Sequence, residues 1–410
     1  MTSLGSALVF VGAMACGSLG GAPDSGKGDG VLDRWVDRAL ASHPGAQAGA
    51  YAVEGARVAE QGAGAWMPPS TQLAVLSDGR VDLSVSQMVP GWGKTASEAV
   101  VRAERTRMKR LDSAERARGI VLSVREAAWM EWMAWQKVAV LAEQDSAWRK
   151  LSQAQLRTQA QAMGGAWESW ILRAKESQGR TDLAMAKAQA QAATAMRESW
   201  TGTDSQSWHP RDPVAPDWDT AKLAREISSR PDISSMEAEA SMMQAMSHAM
   251  RTSLRPDFMV GAMAMRMTDG MPGWGVMAGM TLPFAPWSRS MAQGDARGAQ
   301  AASREAQAKA QEMRRMALSD LQGHARKAQA AWEAFRETDS LVIPGLERAV
   351  ADVRSRYAQG REMLPMLLSM EDMVRMARMQ RIMSRGEYEL ERVRLQAAAW
   401  TDAQPNRGAK

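Results

Sequence analysis

Met259, Met263, Met265 and Met267 fall on one side of an alternating stretch in the second half of the chain. A thioether sulfur is a soft, neutral donor that prefers cations such as copper(I) or silver(I). It is also ordinary apolar filling, since methionine adapts to irregular gaps. The other side of the stretch carries Phe258, Val260 and Ala262, and then Arg266. Both sides are largely apolar, so the alternation does not settle which points inward. Composition supplies a second account of the sulfurs. The 410 residues include 32 Met and 16 Trp against 4 Phe and 3 Tyr. Biased residue usage of this kind puts Met and Trp where Leu, Phe and Tyr would otherwise pack.

Other chemistry is thinly supported. His43, His209, His248 and His324 share no close spacing, so no zinc motif is written in the sequence. No nucleophile elbow, phosphate-binding loop or dinucleotide fingerprint occurs, and neither catalysis nor a cofactor is expected. Lys and Arg number 51 against 46 Asp and Glu. The arginines interleave with acids along helical stretches, as on solvated helix faces, and nucleic acid is not an expected partner.

Cys16 is the single cysteine, so no internal disulfide can form. It follows a short apolar run, Leu4 to Ala15, that suits a signal peptide over residues 1–15. Ala13-Met14-Ala15-Cys16 resembles a bacterial lipobox, in which the cysteine is lipidated, although no Lys or Arg precedes the run. Residues 16–30, rich in Gly and Ser, then read as a flexible lipid-anchored tether.

The elements that would position these residues recur in two repeats, 31–218 and 219–400, ahead of a disordered tail at 401–410. In the first, Val81, Leu83 and Val85 alternate with Asp82, Ser84 and Ser86, the mark of a strand with one apolar and one polar face. Asp78-Gly79 supplies the turn of a hairpin over 71–88. A proline-free stretch from Thr95 to about Ala162 predicts a helical rod of about 100 Å. Gly164-Gly165 then marks a tip at 163–169, where a returning helix starts. The second repeat has a hairpin at 257–283 turning at Asp269-Gly270, a long helix from Arg289, a bend at Pro344, and a tip at 357–364 around Gly360. Pro90 and Pro283 are separated by nearly the same span as Gly164 and Gly360, as a duplication requires.

Two hairpins give four strands, too few to close a barrel, and an open edge is costly in lipid. Three copies would supply twelve strands around a water-filled lumen. Asp82, Ser84 and Ser86 would face that lumen, with Val81, Leu83 and Val85 toward lipid. The charged helices would stand outside the bilayer as coiled coil.

This layout resembles the TolC-type outer-membrane factor family over roughly Val31 to Trp400. The resemblance is carried by Ala39-Leu40 with Pro44, Met67-Pro68, Gln87-Met88-Val89-Pro90 with Gly93-Lys94, Arg230-Pro231-Asp232, Arg255-Pro256-Asp257, Leu282-Pro283-Phe284 and Tyr357-Ala358-Gln359-Gly360. It implies a mainly α fold with a small β part, and a homotrimer with a twelve-stranded barrel and a periplasmic α-helical tunnel. It also implies a place in the cell outer membrane as the passive exit duct of a tripartite efflux system. The partners would then be a periplasmic adaptor, an inner-membrane RND-type pump and outer-membrane lipid, and the cargo heavy-metal cations or drugs. The tips would meet the adaptor or hold the entrance shut, through Gly164, Gly165, Trp167, Arg356, Gly360, Arg361 and Glu362. An alternative is a periplasmic coiled-coil adaptor or structural protein with a small soluble β domain. The paired repeat favours the duct.

Overall fold

The computed structural model describes residues 29–399 except 76–80, 161–165, 205, 207, 267–270 and 282–285. Cys16, Gly164, Gly165, Met267 and both hairpin turns lie outside the described residues.

Two helices open the chain, α1 (Asp29–Ser42) and α2 (Pro44–Gln61). Pro44 starts α2 because its missing N–H is one that a first turn leaves unpaired anyway. His43 caps it, with Nδ1 accepting from the Gly45 N–H at 3.0 Å. Strands β1 (Ser70–Val75) and β2 (Val81–Val89) follow, then α3 (Lys94–Ala160) and α4 (Ala166–Thr201). The 67 residues of α3 run for about 100 Å.

The second half repeats the order with α5 (Thr220–Glu226), α6 (Pro231–Thr252), β3 (Phe258–Arg266), β4 (Pro272–Met280) and α7 (Pro286–Glu337). Helices α8 (Ile343–Ala358) and α9 (Leu364–Ala399) complete it. A 3-10 turn, Ile227–Ser229, separates α5 from α6, and Pro231 begins α6. The expected bend at Pro344 is a π turn over Thr338–Val342. Proline lacks an N–H and its ring crowds the carbonyl one turn back, which a wider turn accommodates.

The four strands form one antiparallel sheet in the order β1-β2-β3-β4. Nearest the sheet, α3 packs between α2 and α6, and α6 packs on α7. Farther along, α3 packs between α4 and α9, and α9 packs on α8. The helices therefore make a wall around no single core, with apolar clusters spaced along it. One joins Trp35 and Ala39 of α1 to Ile120, Val124 and Trp129 of α3. Another joins Ile233 of α6 to Leu321 of α7 and Leu395 of α9. Buried alanines at 306, 310, 317 and 328 on α7 keep its seam thin, so its neighbours approach closely.

Candidate channel wall and tips

Pairing register determines what each face of the sheet carries. Asp82 pairs with Met265, Ser84 with Met263, Ser86 with Gly261 and Met88 with Met259. Those β3 positions pair in turn with Gly273, Gly275, Met277 and Gly279 of β4. On β1 the partners are Ser86 with Ser70 and Ser84 with Gln72. Because pairing holds neighbours on one side, Met259, Met263 and Met265 share their face with Asp82, Ser84 and Ser86. That face is half-buried on β2, β3 and β4, as the inner side of a curved sheet is.

The opposite face carries Leu73, Val81, Leu83, Val85, Val260 and Val276, all exposed. Val276 is 75% exposed and Trp274 85%, extreme values for apolar side chains within a strand. Trp274 lies near the β3–β4 turn, while Phe258, Trp66 and Trp92 are exposed at the other end. An apolar band with aromatics at both rims is what a lipid-facing barrel surface needs. Arg266 sits on this face at the end of β3, paired with Val81, where a long side chain can reach past the band.

Below the sheet, the chain leaving β2 is clasped to the chain leading into β3. Lys94 Nζ lies 2.7 Å from Asp257 Oδ1, which also accepts from the Gly91 N–H at 2.8 Å. Arg255 donates to the Trp92 carbonyl at 2.5 Å. Gly93 has φ +81°, and Gly91 is so close to the Pro256 carbonyl oxygen that an added Cβ would stand 2.5 Å from it. Ser97 and Thr252 hydroxyls meet at 2.9 Å just below. These contacts join the two repeats where sheet becomes helix.

At the far end Tyr357 packs with Ile171, Leu172, Leu364 and Leu368, so the end of α8 lies against the start of α4. Burial, with Glu168 nearby, raises the Tyr357 hydroxyl above its usual range. Asp372 of α9 accepts from Lys175 of α4 at 2.7 Å and from Gln144 of α3 at 3.2 Å. Arg378 of α9 reaches Glu143 of α3 at 3.0 Å and Glu347 of α8 at 2.7 Å. Trp167 and Trp170 belong to the first turns of α4 and are exposed. Gly360 turns the second tip with φ +69°. Arg361 lies in that turn, and the Glu362 carboxylate accepts from the Met363 N–H at 3.3 Å. Arg356 pairs with Asp352 one turn back on its own helix at 2.8 Å.

No family model matches the chain, and no curated protein matches it by sequence. Solved structures do match. The Campylobacter jejuni CmeC outer membrane channel superposes with a TM-score of 0.77 at 15% identity, over 90% of this chain and 85% of that one. The outer membrane protein VceC of Vibrio cholerae gives 0.73 at 14% identity, over 90% and 96%. The open state of the Neisseria gonorrhoeae MtrE outer membrane channel gives 0.72 at 14%, over 90% and 88%. The chain has the TolC-type channel fold. At such low identity the likeness rests on the fold, and the side chains speak for themselves.

Sequence reading missed several positioning residues. Asp372 and Arg378 sit in a run of methionines without periodic context, and only the packing of four helices reveals their partners. Arg118 of α3 and Arg230 both donate to the last carbonyls of α9, at Ala397 (3.0 Å) and Ala398 (3.5 Å). Those carbonyls have no partner within their own helix. Among the described residues, no group of three or more His, Cys, Asp or Glu is placed to hold a metal.

Proposed function

We infer that the chain is the outer-membrane duct of a tripartite efflux system, built from three copies. The observation that carries this reading is the sheet. One face is apolar, exposed and rimmed by aromatics, the other is half-buried with Asp82, Ser84 and Ser86, and both outer edges, β1 and β4, lack a strand partner among the described residues. Three sheets joined edge to edge give twelve strands and leave no edge. The helical wall then continues the lumen for about 100 Å, a length suited to an aqueous compartment between two membranes.

The duct does no chemistry of its own. Substrates reach it from an inner-membrane pump through a periplasmic adaptor, which docks at the tips around Trp167, Arg356, Gly360, Arg361 and Glu362. Cys16 carries the lipid that anchors each chain in the outer membrane. A strain lacking the gene is expected to become sensitive to at least one compound in a panel of drugs and metal salts. Resistance should return with the wild-type gene and fail to return with Val276→Arg. Unchanged sensitivity across the panel, with the protein recovered in the soluble periplasm, would defeat the reading.

A further inference from the structure

We propose that the inner face of the sheet is a binding surface for soft monovalent cations, copper(I) or silver(I), made by the thioethers of Met88, Met259, Met263, Met265 and Met277 beside the Asp82 carboxylate. The inference rests on the reading of this face as the lumen of the duct, and it names a substrate class for that duct.

The sulfurs form one contiguous patch. Met88 and Met259 are directly paired. Met277 pairs with Gly261, so it lies diagonally between Met259 and Met263. Met265 follows Met263 on the same strand, its Cβ about 7 Å away. Each of these side chains has three rotatable bonds, enough to bring neighbouring sulfurs onto one ion.

Glycine keeps the patch open. Every methionine of β3 and β4 on this face pairs with a glycine across the strands: Met259 with Gly279, Met263 with Gly275, Met265 with Gly273, and Met277 with Gly261. A Cβ at Gly275 would lie 3.7 Å from Met263 Sδ, and one at Gly273 would lie 3.5 Å from Met265 Sδ. The sulfurs therefore lie over bare backbone, along the wall instead of across the passage. Glycine weakens a strand interior, and four of them in register mark a place where something approaches the backbone closely.

Charge agrees. The described strand residues of this face include no Lys or Arg, and Arg266 is on the other face. Asp82 is directly paired with Met265 and supplies a negative charge beside the sulfurs. A neutral thioether offers little to sodium or magnesium, which prefer oxygen, and much to a soft d10 ion.

The test is silver nitrate titration of the detergent-extracted full-length protein in chloride-free buffer. Wild type is compared with a double variant, Met263→Leu with Met265→Leu, which keeps apolar volume while removing the sulfurs. Bound silver per chain, free thiol content and light-scattering mass are measured on each. The expected result is that the variant retains about one silver ion per chain fewer, at equal mass and thiol content. If that variant does not reach the membrane, Met259→Leu with Met277→Leu is used, and the same loss is expected. Equal silver binding by wild type and variant, both trimeric in the outer-membrane fraction, would overturn the cation surface and leave the duct standing. A soluble monomer would overturn both.

Discussion

Asp232 shows how a single side chain can hold three helices. Burial alone would raise its carboxyl, but hydrogen bonds and charge from Arg230, the Ile233 N–H and the charge of Arg118 together hold it below the usual carboxylate range. Both arginines also reach the end of α9. A lowered folded pKa means that the contribution is present above the ordinary carboxylate pKa and is lost as pH falls through the folded value. Asp232→Asn is expected to lose about 2 kcal/mol at neutral pH, with the gap to wild type closing in acid. Thermal unfolding across pH checks this, and a gap independent of pH would contradict it. On the sheet, Val276→Arg on the exposed apolar face is expected to cost about 2–4 kcal/mol of insertion. Ser84→Arg on the inner face should be tolerated, as read from the yield of folded protein in the outer-membrane fraction. The sequence makes the polar face of β2 visible, because Asp82, Ser84 and Ser86 alternate with three aliphatics. It leaves the β3 methionines ambiguous, because their own strand is apolar on both sides. Only the register against β2 assigns them.

Among the elements, the joint between sheet and helix is where rigidity matters most. Gly91 abuts the Pro256 carbonyl oxygen, a backbone atom that cannot swing aside as the end of a flexible side chain could. Gly91→Ala should cost about 1–3 kcal/mol and lower the temperature at which the assembly dissociates on an unboiled gel. Unchanged dissociation would show that the two repeats are not clasped there. The motifs of this joint, Gly93-Lys94 and Arg255-Pro256-Asp257, stand out in the sequence, but their contact does not, because Trp92 and Arg255 are 163 positions apart. Helix ends follow local chemistry: Pro44 and Pro231 begin helices, and Gly360 turns the chain after one. Pro344 announced a bend, whereas the π turn depends on how α7 and α8 continue across it.

For the whole molecule, the long α3 and the four-stranded sheet fix what an assembly has to do. A sheet of four strands with an apolar outer face cannot rest in water or in lipid with β1 and β4 open. In the proposed assembly, edge pairing between copies would satisfy both edges and turn the two faces into an outside and a lumen. The proposed number of copies rests on strand count and barrel closure, and no residue in the chain states it. The most direct test is the detergent-corrected light-scattering mass of the protein extracted from the outer-membrane fraction, the full 410-residue chain being 44.7 kDa. The account predicts three chains per particle in that fraction. A soluble monomer or dimer would contradict it, and the sheet would then belong to a protein that never lines a membrane pore.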